Sequence, residues 1–433
     1  MNFYREKIPR QSRGLQVVLV TAFFLTVFFL NTGPAILNAE PLLLVRQATV
    51  EATFLSATTE GDLQFEVDGQ TRRIHCQNLI RWSTQPSKLK RSELLLTDGS
   101  CLVLADAWTG QPIWQMTEGS ISAATKLFGT IIVPRNEVRA ILLHAPKGLK
   151  QRRQFLDQLL QLKGGDEKAG NIIRLTNGDQ WQGQVVRLAN NPKGPRLIHL
   201  LQDTSSEPLL LPENRVAAIR FGHPATRLGQ TKKLVVGLRE GSLLMAESIV
   251  TDDEQLRLQL ANGVELTGSD RRDVVHLRSL TSDCVYLSDL VATDYRHLSY
   301  LDIPWPYHRD RNVLGGPLQV AGRSYAKGLG MLTAARLTYR LDTKDLVDRV
   351  RRLVATVAVD DAAARRGSVI FRVYLQNNGD WQQAFASPVV RGGDPPVSVS
   401  VELGDAQKLA LVTDYADRGD ECDYANWLDA RLE

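Results

Sequence analysis

A layout of short β-patterns, repeated three times between residues 94 and 277, constrains this chain most. Each copy has a strand, a tight turn, a second strand and, further on, a short polar turn that leads into a closing strand. The tight turns include Asp98-Gly99 and Asn177-Gly178. Type I′ hairpin turns favour such pairs because both of their central residues need positive φ. The layout therefore predicts three small antiparallel β-domains in tandem.

The closing segment of each copy indicates which type of small β-domain is expected. These segments are residues 134–141, 212–219 and 269–277. Their layout resembles the turn before the last strand of small SH3-like or Sm-like barrels, and a degenerate fourth copy spans Val50 to Trp82. We expect one or two barrels in residues 40–148, one in 171–224 and one in 230–280. Such barrels act as spacers or interaction modules, and the fold alone does not decide between these roles.

A helix is predicted from Leu149 to Lys163, and residues 149–170 are expected to form a helix and a linker. Its apolar face, at i, i+3 and i+4 spacing, consists of Phe155, Leu156, Leu159 and Leu160. Arg152 and Arg153 are expected to face solvent. The helix either packs on a barrel or docks a partner. A second boundary is expected at residues 222–225.

Residues 1–39 have the order of an export signal. Basic residues are followed by an apolar run from Val17 to Leu30, then by Gly33-Pro34 and by small Ala39. A cleaved signal and a retained anchor are both open, although a bilayer span needs about 20 apolar residues. In either case we expect export to the periplasm, the cell surface or the medium. Membrane contact is expected only through this segment, if it is uncleaved.

The charge of the chain argues against nucleic acid as a partner. The formal net charge is +4, and residues 1–39 hold four basic residues against one acidic residue, so the remainder is nearly neutral. A neutral body lacks the basic surface that binds phosphate backbones. The GxSxG, HExxH and P-loop motifs are absent from the sequence, and the small domains leave no room for a catalytic barrel of about 250 residues. We therefore predict that the protein is not an enzyme.

The sequence contains four cysteines: Cys76, Cys101, Cys284 and Cys422. They lack the spacing of a zinc site. Two alternatives are open, because an exported protein can form disulfides. Either Cys284 bridges Cys422 and Cys76 bridges Cys101, or all four are thiols.

Residues 283–433 contain clean alternating patterns. Val397, Val399 and Val401 alternate with polar residues, and so do Val369 and Phe371. Turn sequences such as 377–380 and 391–396 separate the patterns. Several alternating strands at this spacing predict a sandwich of two sheets.

Six motifs in the same stretch resemble, in this order, the NPCBM family of novel putative carbohydrate-binding modules. They are residues 283–290, 315–318, 325–330, 357–361, 367–371 and 423–430. The resemblance covers about the last third of the chain and implies a jelly-roll β-sandwich that binds sugars without cleaving them. The expected fold class is thus all-β, with tandem SH3-like barrels followed by this sandwich at 283–433. Departures from the family pattern lie at 331–334, Ala358 and Asn426, and they bear on ligand binding more than on the fold.

Sugar-binding modules use exposed aromatic rings, because the C–H face of a pyranose rests on such a ring. The candidate sugar-binding residues are Trp305, Tyr307, His308 and Trp381. His308 would supply a hydrogen bond. The alternative for Trp305 and Trp381 is burial in the core, which is the common state of tryptophan and the one expected for Trp427.

Acidic residues cluster near the ends of the C-terminal strands and favour a hard cation. Calcium takes six to eight oxygen ligands, so a structural calcium is the cofactor that this cluster indicates. The candidate ligands are Asp360, Asp361, Asp420, Asp423 and Asp429. The alternative is that these carboxylates cap turns and pair with Arg365, Arg366 and Arg418.

The sequence therefore predicts an exported, non-catalytic carbohydrate-binding protein whose partner is a glycan or glycoconjugate. The alternative is a cell-envelope scaffold whose sandwich no longer binds sugar and contacts an envelope protein instead. Exposed tryptophans beside polar groups would favour the first function. Buried rings with a large apolar patch would favour the second.

Overall fold

A computed structural model describes residues 39–433 except 59–60, 87–91, 107–111, 162–169, 193, 223–231, 253–254, 299–302, 348 and 418. The predicted export signal, the linker after the helix, the boundary at 223–225 and Arg418 lie outside the described residues. In the part of the chain that is described, strands predominate and one α-helix is present. No helix in these ranges combines the length and apolarity needed to cross a membrane. The predicted all-β fold class is confirmed.

The first barrel has five strands: β1 (Glu40–Leu44), β2 (Val50–Ala57), β3 (Asp62–Val67), β4 (Gln70–His75) and β5 (Leu79–Trp82). β1 pairs with both β2 and β5, and the meander β2-β3-β4 follows. The order β5-β1-β2-β3-β4 is that of an SH3-like barrel. Phe54, Phe65 and Trp82 fill its core, with ring centroids 5.7–5.9 Å apart.

The second barrel and the helix follow. Their elements are β6 (Glu93–Leu96), β7 (Cys101–Val103), β8 (Trp114–Met116), β9 (Ser120–Thr125), β10 (Gly129–Pro134), the 3₁₀ turn Arg135–Glu137, β11 (Val138–Leu142) and helix α1 (Leu149–Gln161). β6 lies between β7 and β11, and β9 lies between β8 and β10. A bridge between Leu104 and Thr125 connects the two halves.

The third and fourth barrels repeat the order of the first. The third consists of β12 (Asn171–Leu175), β13 (Gln180–Ala189), β14 (Leu197–Leu201), β15 (Leu209–Pro212), the 3₁₀ turn Glu213–Arg215 and β16 (Val216–Arg220). The fourth consists of β17 (Leu234–Leu238), β18 (Leu243–Asp252), β19 (Gln255–Leu260), β20 (Glu265–Asp270), the 3₁₀ turn Arg271–Asp273 and β21 (Val274–Ser279). In both, the first strand pairs with the second and the last.

The barrels join through their last strands. β11 pairs antiparallel with β16, with Ile141 opposite Ile219, and β5 pairs antiparallel with β21, with Trp82 opposite Leu277. The second barrel is therefore joined to the third, and the first to the fourth. A further pairing, Leu243 of β18 with Cys101 of β7, joins the second barrel to the fourth. This arrangement connects barrels that are distant in the chain, which tandem layout alone does not predict.

Helix α1 packs on the β11–β16 junction. Phe155 and Leu159 are buried against Ala140 and Ala218. The expectation that Arg152 faces solvent is wrong, because its guanidinium is buried and lies 2.7 Å from the Glu93 carboxylate. Arg153 is half-buried. A basic residue that neighbours an apolar face is free to point inward when a buried carboxylate receives it.

The C-terminal sandwich holds the remaining strands. They are β22 (Val285–Tyr286), β23 (Asp294–His297), β24 (His308–Arg309), β25 (Leu318–Val320), β26 (Arg323–Tyr325), β27 (Gly328–Met331), β28 (Ala335–Arg340), β29 (Arg352–Val359), β30 (Ser368–Asn377), β31 (Asp380–Ala386), β32 (Val390–Arg391), β33 (Val397–Glu402), β34 (Lys408–Tyr415) and β35 (Ala425–Leu432). A 3₁₀ turn covers Asp361–Ala363.

Two sheets face each other in this sandwich. The first has the order β24-β27-β35-β29-β33 with β22 beside β35, and the second has the order β23-β28-β34-β30-β31 with β32 beside β30. β25 and β26 form a separate hairpin. Trp427 is fully buried and meets Phe371 edge to face at 5.3 Å, so it joins the two sheets across the core. Its predicted place in the core is confirmed.

The first barrel packs against the sandwich. Arg81 of β5 donates through Nε to the Asp429 carboxylate of β35 at 2.7 Å, and both side chains are buried. Leu43 and Ile80 pack on Tyr286 beside this pair. Every residue of β35 is buried because one face meets the sandwich core and the other meets the barrel and the β25–β26 hairpin.

All four cysteines are free thiols in this structure. Cys76 and Cys101 are buried, and Cys284 and Cys422 are half-buried. Of the two alternatives that the sequence left open, the structure therefore has the unbridged one. Hydrophobic packing and ion pairs hold the chain together instead.

Candidate functional site

The outer face of the second sheet, directed away from the sandwich core, carries a row of polar side chains beside an aromatic one. Four residues lie opposite one another on adjacent strands: Arg340 on β28, Lys408 on β34, Gln376 on β30 and Trp381 on β31. The inward positions of the same strands hold core residues such as Leu337, Leu409 and Val373. The two-residue period of a strand thus assigns the first set to the surface.

These residues line a groove of about 720 Å³ that runs across the sheet from β23 to β31. We call it the outer-face groove. The Trp381 side chain is 39% exposed in it. Thr338 and Gln407 add polar groups to its floor. A groove of this volume is within the range of small-ligand sites.

The charges that line the outer-face groove are mostly paired. Arg336 contacts Asp294 at 2.7 Å, and Arg340 holds Asp342 through two bonds of 2.8 and 2.9 Å. The hydrogen bond from Arg340 lowers the pKa of the Asp342 carboxyl. Lys408 has no ion-pair partner among the described residues. The groove therefore offers an amine, amides and a ring, which is a donor and acceptor set suited to a neutral polyhydroxyl ligand.

Trp305 lies at the opposite edge of the same sheet. Its backbone N–H donates to His297 Nδ1 at 3.0 Å, and its carbonyl accepts the Tyr295 hydroxyl at 2.6 Å. The Trp305 side chain is 37% exposed. Since β23 and β31 are four strand spacings apart, Trp305 and Trp381 are separated by about 19 Å across the sheet. The structure therefore does not bring the two tryptophans into one site.

Tyr307 and His308 belong to the Trp305 side of the sandwich. Tyr307 packs on the core and meets the Tyr295 ring at 5.0 Å, while burial and the neighbouring Tyr307 raise the pKa of Tyr295 to about 12. His308 is half-buried on β24, where burial and the Arg311 charge lower its pKa. His308 is therefore neutral at physiological pH. Of the four predicted sugar-binding residues, Trp381 alone lines the outer-face groove.

The predicted metal ligands have separate hydrogen-bond partners. Asp360 accepts bonds from the Asn312 and Asn426 amides at 3.0 and 2.7 Å, together with the backbone N–H groups of Gln319 and Ala362. Burial raises its pKa. Asp361 accepts the N–H groups at residues 321 and 322 in the turn of the β25–β26 hairpin, each at 2.8 Å.

The other three predicted metal ligands also have separate surroundings. Asp423 accepts from the Ser368 N–H at 2.6 Å and from the Thr333 hydroxyl at 2.8 Å, and burial raises its pKa to about 6. Asp420 is half-buried near Asp423, and Asp429 pairs with Arg81. Within the described ranges, no three His, Cys, Asp or Glu side chains converge on a metal-sized site. The structure thus does not bring the five predicted ligands together.

Sequence reasoning missed the polar floor of the outer-face groove. Arg340, Lys408 and Gln376 stand in one row because three strands are in register, and the registers join residues as much as 68 positions apart. The alternation within each strand shows from the sequence that each residue points outward. The sequence does not show which residues of neighbouring strands lie opposite one another.

Comparison with protein-family models identifies the C-terminal domain. Residues 283–433 match the NPCBM/NEW2 domain. This stretch is an NPCBM domain. The resemblance that six ordered motifs indicated is therefore confirmed over the same residues, and the C-terminal third of the chain is a carbohydrate-binding module.

A relative matches the chain over a shorter stretch. It is a putative endo-alpha-N-acetylgalactosaminidase from Renibacterium salmoninarum, 26% identical over 118 residues. The match covers 27% of this chain and 7% of the relative.

Solved structures similar to the chain include a CBM51 module of Clostridium perfringens GH95 in complex with methyl-galactose. It is 24% identical, with a TM-score of 0.30, and the alignment covers 35% of this chain and 99% of that one. Tandem CBM51 modules of the family 98 glycoside hydrolase from Streptococcus pneumoniae are 12% identical, with a TM-score of 0.29. That alignment covers 78% of this chain and 87% of the other.

Proposed function

We propose that this chain is an exported, non-catalytic carbohydrate-binding protein that holds a glycan in the outer-face groove of its NPCBM domain. The observation that carries the proposal is the half-exposed Trp381 ring at one end of a cross-strand row of polar side chains. The ring would support the C–H face of a sugar, and Gln376 and Lys408 would bond its hydroxyl groups.

The test is a calorimetric titration of the purified full chain with a panel of neutral sugars that includes methyl galactoside and neutral oligosaccharides. Trp381→Ala is expected to weaken binding about tenfold or more, which corresponds to about 1.4 kcal/mol of binding free energy. Trp181→Ala is the matched control, because Trp181 is 37% exposed on β13 of the third barrel. It is expected to leave binding unchanged.

Trp305→Ala separates the two candidate edges of the sheet. Loss of binding on Trp305→Ala with full binding by Trp381→Ala would contradict the groove assignment and place the sugar at the Trp305 edge. Absence of binding to every glycan by a chain whose circular dichroism shows a folded state would contradict the proposal as a whole.

Calcium binding by Asp360, Asp361, Asp420, Asp423 and Asp429 stays a prediction. Repeating the titration and a thermal melt with a calcium chelator measures it directly. A bound structural calcium is expected to make the melting temperature fall on chelation, whereas an unchanged melting temperature would show that the protein donors on the oxygens of Asp360 and Asp361 take the place of a metal. A melting temperature that falls on chelation and recovers with added calcium would establish the metal site.

A second candidate function rests on the apolar residues beside Trp305. Leu298 is 55% exposed and Ile303 is 61% exposed, and the Trp305 N–H donates to His297, the residue before Leu298. Exposed apolar side chains that cluster mark protein-interaction surfaces. Under this candidate the chain is an envelope scaffold, and cross-linking from position 303 would capture an envelope protein whether or not Trp381 is present.

A further inference from the structure

A cleft of about 470 Å³ lies where three parts of the chain meet. Helix α1 supplies Leu156 and Leu160, the fourth barrel supplies Arg278, and the NPCBM domain supplies Tyr325 and Lys327. We call it the junction cleft. None of the residues predicted to bind sugar or metal lines it. It is separate from the outer-face groove, whose lining residues all belong to the sandwich.

The acidic side chains of the junction cleft are already neutralised. Asp157 contacts Arg311 at 2.5 Å, and Asp310 contacts Lys327 at 3.0 Å. Lys327 also contacts Asp289 at 2.5 Å. The carboxylates in and around the cleft are therefore engaged by cations of their own.

Two lining arginines remain without such a partner. Neither Arg153 nor Arg278 has a carboxylate within ion-pair distance among the described residues. The Nε of Arg278 is buried and has no hydrogen-bond acceptor. Burial and the nearby Arg311 charge lower the pKa of Arg153, and the more distant carboxylates of Asp157 and Asp310 oppose that shift without forming an ion pair. A guanidinium removed from water is unfavourable unless an anion and hydrogen-bond acceptors compensate for it, so the site is electrostatically incomplete.

The rest of the lining indicates what the anion is attached to. Leu156, Leu160 and Tyr325 present apolar surface, while Gln319 and Ser324 present an amide and a hydroxyl. Inorganic phosphate has no apolar surface to pack on the leucines and the tyrosine. A flat hydrocarbon acid has no hydroxyl group to bond the Gln319 amide or the Ser324 hydroxyl. A ring with carbon faces, hydroxyl groups and one carboxylate matches all of these groups, and the cleft volume is within the range of small-ligand sites.

We infer that the junction cleft binds an acidic monosaccharide, a uronic acid, through its carboxylate on Arg153 and Arg278. This second site extends the proposed glycan binding from neutral to acidic sugar, and it requires the barrels and the helix as well as the NPCBM domain. The planar guanidinium group bonds a carboxylate through two parallel N–H donors, which gives both affinity and orientation.

The experiment is calorimetric titration of the full chain at low salt with glucuronate, with glucose and with inorganic phosphate. Glucuronate is expected to bind at least about tenfold more tightly than either of the others, because only it has both the ring and the carboxylate. Its affinity is expected to fall as salt screens the arginines. Equal binding of glucuronate and glucose, equal binding of glucuronate and phosphate, or no binding of glucuronate would each overturn the inference.

Two variants locate the site. Arg278→Met is expected to weaken glucuronate binding about tenfold or more, whereas Arg187→Met, an exposed arginine of the third barrel, is expected to have no effect. Should Arg278→Met fail to fold, Arg153→Met on the helix tests the same cleft. Unchanged glucuronate affinity in the folded arginine variant would refute the site.

The failures of the two proposals are distinguishable. Trp381→Ala is expected to leave glucuronate binding intact, and Arg278→Met is expected to leave binding of neutral oligosaccharide intact. A single variant that removed both kinds of binding would show one shared site and would contradict the separation inferred here.

Discussion

Replacing Arg81 with methionine is expected to destabilise the contact between the first barrel and the NPCBM domain strongly. Arg81 Nε lies 2.7 Å from Asp429, and the two side chains are 9% and 3% exposed. Its Nη1 also donates to the Ser83 carbonyl at 2.8 Å. Methionine keeps most of the apolar stem and removes the charge, so the Asp429 carboxylate stays buried with no cation beside it.

The size of the expected loss in unfolding free energy depends on how deeply the ion pair is buried. Breaking a buried ion pair by removing one partner costs about 3–5 kcal/mol, whereas an exposed pair contributes about 0–1 kcal/mol. Arg336 and Asp294 form a matched control, because they are also 2.7 Å apart but 45% and 51% exposed. We therefore expect Arg81→Met to lower the free energy of unfolding by about 4 kcal/mol and Arg336→Met by less than about 1 kcal/mol.

Urea denaturation of the full chain, followed by tryptophan fluorescence and far-UV circular dichroism, measures the difference. With a slope of about 2–3 kcal/mol per molar urea, Arg81→Met is expected to lower the midpoint of the affected transition by about 1.3–2 M. The double variant Arg81→Met with Asp429→Asn is expected to recover a large part of the loss, because it removes the uncompensated charge. Equal midpoints for Arg81→Met and Arg336→Met would refute the reasoning.

Three further predictions concern backbone packing and pH. Gly330→Ala is expected to prevent the sandwich from folding, because a Cβ there would lie 2.4 Å from the Arg311 carbonyl oxygen, and protease sensitivity measures this. Buried His276 has its pKa lowered to about 3 by burial and by neighbouring arginines, so its contribution to stability is complete above the unfolded pKa of 6.5 and is lost as pH falls. Between pH 7.5 and 5 about 2 kcal/mol should be lost, and His276→Gln should lose less in the same urea titrations. Asp423, with its raised pKa of about 6, has the opposite sign: its contribution is complete below 3.8 and is lost as pH rises through 6. Asp423→Asn should therefore be less destabilised than the wild type between pH 4 and 8, and identical pH profiles would contradict this.

Local sequence patterns predicted many of the turns and strands, because these features depend on neighbouring residues. Asn177-Gly178 lies in the turn between β12 and β13, but only Gly178 has positive φ, so the expected type I′ geometry is wrong. The closing segment before β16 has the polar turn that its sequence indicated. Trp427 is in the core, and the six motifs of the NPCBM domain identified the sandwich. These features depend on residues within a few positions of one another or on an ordered set of motifs.

The contacts between domains could not be predicted in this way. Arg81 and Asp429 are 348 positions apart, and nothing near either residue indicates the other. Asp429 lies within β35 and not at a strand end, and its carboxylate has the same local appearance whether it binds a metal or an arginine of another domain. The prediction for Asp429 therefore depended on a three-dimensional fact, the docking of the first barrel on β35. Arg152 was misplaced for the same reason, since its partner Glu93 lies on another element.

The pairing of the last strands also bears on how the chain behaves at high concentration. A small barrel whose last strand were open would present unpaired N–H and C=O groups on which a strand of another molecule could add. In this chain β5, β11, β16 and β21 each have a strand on both sides, because β11 pairs with β16 and β5 pairs with β21. Four sites at which molecules could have joined edge to edge are thus closed within a single molecule, and self-assembly through them would require the barrels to separate first.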